Sequence, residues 1–185
     1  MPPRIVGFSG NLGSPSRTRA LVDLAVSRTA SRFDCTAASY GIADLQPSLG
    51  QAQSVDDLDA LPRAIFDAIL TADALVVGTP VYKGSYTGLF KHVIDLIDPA
   101  ALAGKPVLLT ATGGGDRHAL VIEHQLRPLL GFFEAASLPT SVYASAADFR
   151  DGQPASDALL ARLDRAVEQF SPWLSRTPAV TSAAA

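Results

Sequence analysis

Cysteine is almost missing from this 185-residue chain: Cys35 stands alone. No internal disulfide can form, and no arginine follows it at the spacing of a C-x5-R phosphatase loop. Its expected role is that of a small buried apolar residue. Charge is also sparse, at 18% of residues with a net −3. The 15 lysines and arginines are scattered, so no basic patch suited to a nucleic-acid backbone appears. No run approaches the ~18 apolar residues of a membrane helix. Met1-Pro2-Pro3-Arg4 leads into a strand without the charged start and apolar stretch of a signal peptide, and the expected location is cytoplasmic. Two phosphate signatures are missing as well. The Gly104-Lys105 pair is followed by Pro106, which rules out a Walker loop. The glycines at 7, 10 and 13 miss the G-x-G-x-x-G spacing. Among histidine, cysteine and carboxylates there is no metal-ligand cluster, no nucleophile–base arrangement and no carboxylate pair at catalytic spacing.

What is present is a high apolar share, 48% hydrophobic, distributed as short apolar runs alternating with helical periods. That pattern predicts an α/β fold with a five-stranded parallel sheet covered by helices on both faces, within one domain over residues 1–175 and a disordered tail over 176–185. Strands are predicted near Ile5–Phe8, Cys35–Ser39, Ala74–Gly78, Val107–Ala111 and Ser141–Tyr143. Helices are predicted after each of the first four, the fourth from about Arg117 to Ala136, and a last one from about Ser156 to Trp173. Tyr40 to Leu58 reads as a long loop covering a site or meeting a partner.

Three segments stand out as candidate binding elements. In the first, Val6-Gly7-Phe8-Ser9-Gly10-Asn11-Leu12-Gly13-Ser14-Pro15-Ser16-Arg17-Thr18, a buried strand breaks into a loop and then a helix. Gly10 and Gly13 permit positive φ and close backbone approach, and Ser14 or Ser16 suits the helix cap. The helix N-terminus presents unpaired N–H groups to an anion, while Ser9, Asn11, Ser14, Ser16 and Thr18 add donors and Arg17 adds the one cation. On its own the segment suits a plain capped βα turn better than a cradle. As a cradle it fits a monophosphate better than a dinucleotide diphosphate. The second segment, Thr79-Pro80-Val81-Tyr82-Lys83-Gly84-Ser85-Tyr86-Thr87-Gly88, follows the central strand where α/β sheets bind ligands. Its exposed row suits a flat aromatic ligand, with Tyr82 and Tyr86 packing nearby, although Tyr82 as a surface aromatic and Lys83 as a solvated charge fit as well. The third is Thr112-Gly113-Gly114-Gly115, whose bare backbone allows close approach to a ligand edge or a flexible connection.

Together, the loop at 9–18, the stretch at 79–88 and Ala-Thr-Gly-Gly-Gly at 111–115 resemble the NADPH-dependent FMN reductase family of flavodoxin-like proteins. The likeness runs from about Arg4 to about Leu174 and is greatest to reductases that supply reduced FMN to sulfonate or sulfinate monooxygenases. Where the family's phosphate loop often reads Gly-Ser-x-Arg, this chain has Asn11 and Gly13, which shifts phosphate binding toward Arg17 and the hydroxyls.

The resemblance implies an NAD(P)H:FMN oxidoreductase. Its cofactors are FMN and NADPH or NADH, and its flavin is bound by Ser9, Asn11, Ser14, Ser16, Arg17, Thr18, Pro80, Val81, Tyr82, Lys83, Ser85 and Thr112 to Gly115. These residues are expected to be binders with no catalytic acid or base, because the flavin carries the hydride chemistry. A quinone, azo-dye or chromate reductase that keeps its flavin, or an electron carrier, is the alternative. An electron carrier is disfavoured by the modest charge and by the lack of a second aromatic loop near Thr112. Pro128 inside the fourth helix predicts a kink or a widening near His124. By resemblance it is a π-type turn at a subunit interface. Wide apolar faces at Phe90, Ile94, Ile97, Val121, Ile122 and Phe132 predict a homodimer or homotetramer.

Overall fold

The computed structural model describes residues 2–175; the expected tail at 176–185 lies outside them. The central sheet is parallel and runs in the order β2 (Thr36–Gly41), β1 (Arg4–Ser9), β3 (Ala74–Pro80), β4 (Pro106–Thr112), with β5 (Ala136–Ser137) and β6 (Val142–Ala144) both pairing with β4. Every residue of β3 and β4 is buried, as befits strands covered on both faces. β2, at the edge, is mostly exposed or half-buried. The order reverses between β1 and β3, so chain connections diverge there and leave a crevice at the carboxyl ends of the strands. Register brings those ends level: Ser9 lies opposite Gly78, Pro80 opposite Thr112, and Thr112 opposite Ala144.

Helix α1 (Arg17–Phe33) is set by its caps and its stripe. Ser16 has extended backbone and its hydroxyl accepts from Arg19 N, while Asp34 closes the far end at φ 53°. Leu21, Val22, Ala25, Val26 and Phe33 form the buried face, which packs on the sheet with α5 (Asp157–Glu168) beside it. On the other sheet face, α2 (Ala60–Leu70), α3 (Gly88–Asp95) and the segment leading into α4 (Arg127–Gly131) bury a second core. The expected loop at 40–58 belongs to this core: three short 3-10 turns bury Ile42, Leu45, Leu49 and Leu58. His92 holds Leu49 by a 2.9 Å bond from Nε2 to the carbonyl. The segment therefore seals the core, and its start, Gly41, Ala43 and Asp44, lines a cavity beside the loop that follows β1.

The fourth helix is shorter than predicted. A 3-10 turn at Asp116–His118 precedes it, a π-helical turn occupies Ile122–Leu126, and Glu134 at φ 55° ends it just beyond Gly131. The widening lies immediately before Pro128. Arg127 N–H reaches back to the Ile122 carbonyl, five residues away, and the proline ring begins the next turn without an N–H to place. The apolar face expected to pair with another subunit is largely spent inside the chain. Phe90, Ile94, Ile97, Val121 and Ile122 are all buried here, and of the six residues named only Phe132, at 69%, is exposed. Two facing sheet and helix layers cover more area than the periodicity alone suggested.

The fifth sheet position is filled by two short strands because four residues, Leu138 to Ser141, span the gap between them. Side chains satisfy their displaced backbone: Arg127 donates to the Leu138 carbonyl at 3.0 Å, Arg162 to the Ser141 carbonyl at 2.6 Å, and Thr140 N reaches Gln169 at 2.9 Å. Glu123 fixes Arg127 through two bonds of 2.6 and 3.0 Å and accepts the Ser141 hydroxyl at 2.9 Å. The Arg127 hydrogen bond, more than any other contact, holds the Glu123 carboxyl below its ordinary pKa. A carboxyl lowered by folding stabilises the fold above its unfolded pKa, about 4.3, and that contribution is lost as pH falls through the folded value. Glu123→Gln is therefore expected to lower stability by about 0.5–1 kcal/mol at neutral pH. The deficit relative to wild type should shrink toward zero below pH 4 or so, as read by urea unfolding at both pH values.

Candidate functional site

The crevice at the strand ends is bordered by three loops, each fixed by backbone contacts. The first leaves β1 with Gly10 wedged between strand and helix. Gly10 N donates to the Gly78 carbonyl at 2.7 Å, and the Gly10 carbonyl accepts the Thr87 hydroxyl at 2.8 Å. A Cβ at Gly10 would stand 2.8 Å from the Phe90 ring, so this glycine serves close packing. Neither Gly10 nor Gly13 has positive φ; among the described residues the positive-φ glycines are 84, 104 and 152. Asn11 turns back to donate to the Gly13 carbonyl at 2.9 Å, and its own side-chain oxygen is buried without a partner. Ser16, rather than Ser14, caps α1. The first-turn N–H groups of Arg17 and Thr18 have no acceptor within the helix.

The second loop begins at Pro80. Val81 N donates to the Thr112 carbonyl at 2.8 Å, and Tyr82 and Ser85 exchange backbone bonds of 2.9 and 3.2 Å across a two-residue turn. Lys83 (φ 54°) and Gly84 (φ 87°) carry the paired positive φ values that such hairpin turns require. Tyr82 stands 58% exposed. Tyr86 instead turns inward, half-buried against Phe90 with ring centroids 5.9 Å apart.

The third loop is held by a residue whose signal the sequence carried only as a short strand. The Tyr143 hydroxyl donates to the Gly115 carbonyl at 2.6 Å, and Gly113 N donates to the Ala144 carbonyl at 3.0 Å. A Cβ on Gly113 would lie 2.2 Å from the Tyr143 oxygen. An aromatic side chain therefore approaches the 112–115 loop from the strand β6, and not from a second aromatic loop. Burial, followed by the nearby Asp116 and Asp148, pushes the Tyr143 hydroxyl's pKa up, which keeps it protonated and donating.

Between the loops lies a cavity of about 510 Å³, in the size range of small-molecule sites. It brings together Asn11, Ser16, Arg17, Thr18, Pro80, Val81, Tyr82, Thr112, Gly113 and Gly114 from all three segments, and adds Pro15 and Gly152. The remaining expected residues lie off its walls. Ser9 is fully buried and, with Ser14, faces a second cavity of about 480 Å³ across the first loop. Lys83 sits at the hairpin tip, the Ser85 hydroxyl donates to Gln125 at 3.2 Å, and Gly115 spends its carbonyl on Tyr143. The Thr18 and Thr112 hydroxyls bond each other at 2.6 Å in the buried floor, so they tie α1 to β4 more than they await a ligand. His124 and Pro128 lie away from the cavity on the π turn and the helix after it.

Gly152 was missed because it comes from a small antiparallel hairpin, β7 (Phe149–Arg150) and β8 (Gln153–Pro154), too short to show periodicity. Its signal was the Asp151-Gly152 dipeptide, both at positive φ. Among the described residues no carboxylate, histidine, cysteine or lysine lines the cavity, and Arg17 is its one ionic group. Such a lining favours binding of an anion at the α1 end and of a flat, weakly polar body between the other two loops. Among the described residues it presents no carboxylate or imidazole to move a proton.

The sequence pattern described as NADPH-dependent FMN reductase matches residues 3–149. A protein of Pseudomonas fluorescens strain Pf0-1 named NADH-dependent FMN reductase SfnF is 46% identical, over 92% of this chain and 91% of that protein. An FMN reductase (NADPH) of Pseudomonas aeruginosa is 43% identical over 92% of both. Among solved structures, the apo form of an NADH:FMN oxidoreductase, EmoB, superimposes with a TM-score of 0.83 at 32% identity, covering 95% of this chain and 92% of that one.

Proposed function

Since the chain belongs to the NADPH-dependent FMN reductase family and is an oxidoreductase acting on FMN with NAD(P)H, we propose that the 510 Å³ cleft is where it holds the flavin. The single observation that carries this reading is the cleft's polarity: a helix N-terminus with Arg17 at one end, bare backbone and Tyr82 at the other, and no carboxylate between. The unpartnered buried oxygen of Asn11 adds an acceptor for a ligand hydroxyl or N–H. In this proposal the Arg17 and Thr18 amides, the Ser16 backbone and the Arg17 guanidinium receive the phosphate. Pro80, Val81 and Tyr82 line one side of the ring system, and Gly113 and Gly114 bring backbone to its edge. Ser9, Ser14, Lys83, Ser85 and Gly115 shape the loops from behind, and Thr112 closes the floor with Thr18.

FMN supplies the hydride-accepting centre. The chain's part is to fix the two rings face to face and to exclude water from their contact, a positioning effect of at most ~7–11 kcal/mol. That suffices without a general acid or base.

The same reading extends to delivery. Tyr82, Lys83 and Gly84 face outward, and this open edge suits release of reduced FMN to a flavin-dependent monooxygenase, in the cytoplasm and in organosulfur assimilation, as the resemblance of the three segments implies. Among the described residues no helix is long and apolar enough to cross a membrane. The test is aerobic turnover together with flavin retention. NAD(P)H consumption that saturates with added FMN, by a protein that leaves gel filtration colourless, supports a releasing reductase. Tightly retained yellow flavin supports the quinone-, azo- or chromate-reducing alternative. Absence of FMN-dependent consumption overturns both.

Assembly into a homodimer or homotetramer is part of this proposal and rests on Leu120 and Phe132, 63% and 69% exposed at either end of the segment that contains the π turn. His124 is exposed on that turn. His124→Ala is expected to reduce the assembled mass by light scattering and to alter flavin retention. An unchanged mass with unchanged retention would leave the turn as a local answer to Pro128.

A further inference from the structure

We propose that Phe149, with the β7–β8 hairpin that carries it, is a positioning residue for the flavin phosphate: it holds Arg17 in place and thereby sets preference for FMN over flavins without a phosphate. The inference rests on the reading of the cleft given above.

Arg17 is exposed at the first position of α1, and among the described residues it is in no ion pair. A solvated arginine loses rotamer freedom whenever it closes on a ligand, which weakens binding. Here its guanidinium carbon stands over the Phe149 ring, 5.8 Å from the centroid, within the range of a cation–π contact. The contact orients the side chain and leaves its N–H fork free for a phosphate, whereas a carboxylate partner would occupy that fork.

Phe149 can serve as a platform because it does not move freely. It is half-buried and packs against the core formed by α1 and α5. It pairs with Pro154 across the hairpin, whose turn, Asp151-Gly152, has positive φ at both residues. The base of the hairpin is closed by the Asp148 carbonyl, which accepts from Ala155 N at 2.8 Å and Ser156 N at 3.2 Å. Ser156 in turn caps α5. Asp148 itself caps the preceding turn by accepting from Ser145 N at 2.8 Å. The hairpin is thus anchored to two helices' cores and places Gly152 on the cleft wall beside Arg17. The family pattern stops at residue 149, so the rest of the hairpin lies beyond what that pattern describes.

The test measures dissociation constants of FMN and of riboflavin, which lacks the phosphate, by quenching of flavin fluorescence with the full-length apoprotein. Phe149→Leu keeps an apolar side chain against the core and removes the aromatic face. It is expected to weaken FMN about three- to fivefold and to leave riboflavin unchanged, while Phe149→Tyr behaves as wild type. Arg17→Ala is expected to weaken FMN about tenfold or more, again sparing riboflavin. In the Arg17→Ala background, Phe149→Leu should then have no further effect. Equal weakening of both flavins by Phe149→Leu, or an undiminished effect in the Arg17→Ala background, would show Phe149 to be a wall and overturn the inference while leaving the cleft reading intact. If Arg17→Ala weakens FMN and riboflavin alike, the phosphate is not at Arg17, and the reading falls with the inference.

Discussion

Gly113→Ala is expected to lower FMN affinity at least tenfold while the protein remains folded. The new Cβ would stand 2.2 Å from the Tyr143 oxygen and 3.2 Å from the ring carbon that bears it. One of the two must move, and both are tied: the Tyr143 hydroxyl donates to Gly115 at 2.6 Å, and Gly113 N donates to Ala144 at 3.0 Å. Either displacement shifts the 112–115 backbone where it faces the cleft, and a misplacement of this size is enough to spoil ligand positioning. The strain is local to a loop, so the cost in stability is expected to be modest, on the order of 1–2 kcal/mol. Tyr143→Phe provides the control. Alone it removes the bond to Gly115 and should weaken FMN by a few-fold. Combined with Gly113→Ala it relieves the closest contact and should recover part of the affinity, a coupling that a double-mutant cycle by flavin titration would read. Additive losses would show that the glycine is required for some reason other than Tyr143.

Gly78→Ala is expected to have the opposite balance, with a large loss of stability. Gly78 lies in the middle of the sheet in β3, and a Cβ there would come within 2.5 Å of the Thr110 hydroxyl and 2.5 Å of a Val22 methyl. Both neighbours are fully buried, one in β4 and one on the inner face of α1, so neither can swing aside into solvent. Overpacking of this kind costs about 3 kcal/mol, which for a chain of this size lowers Tm by roughly 6–12 °C. Calorimetry of the folded variant checks it. An unchanged Tm would mean that α1 lies farther from the sheet than its packing shows.

The contrast between these two glycines also shows what the sequence could disclose. The run Ala74-Leu75-Val76-Val77-Gly78 announced a buried strand by its apolar continuity, but nothing in it says that Val22 and Thr110 crowd Gly78. That depends on how closely a helix much earlier in the chain lies on the sheet. The three loops were legible because each follows a strongly apolar strand, and parallel α/β order sends such loops to one edge. The end of the cleft proposed for the phosphate was read from Ser16, Arg17 and the helix that follows, all local in sequence. Phe149, Gly152 and Tyr143 were not legible as parts of the site. Phe149 sits in a two-residue strand and Gly152 in the turn that follows it, with no period to detect, and Tyr143 acts through a hydroxyl reaching back 28 residues. The split fifth strand escaped for a related reason: it is made by Arg127 and Arg162 satisfying displaced carbonyls, a tertiary arrangement that propensity does not encode. The excess apolar surface inferred for α3 and the fourth helix failed because the three 3-10 turns at 42–57 bury part of that core.

The most direct measurement is anaerobic: apoprotein is titrated with FMN, then mixed with NADH or NADPH while the flavin absorbance is followed. Saturable quenching of flavin fluorescence on binding, shifted to about tenfold higher FMN or more in Arg17→Ala, followed by stoichiometric bleaching by at least one nicotinamide faster than free FMN is bleached, is the predicted result. Flavin that binds equally well without Arg17, or that stays oxidised under both nicotinamides, would contradict the account.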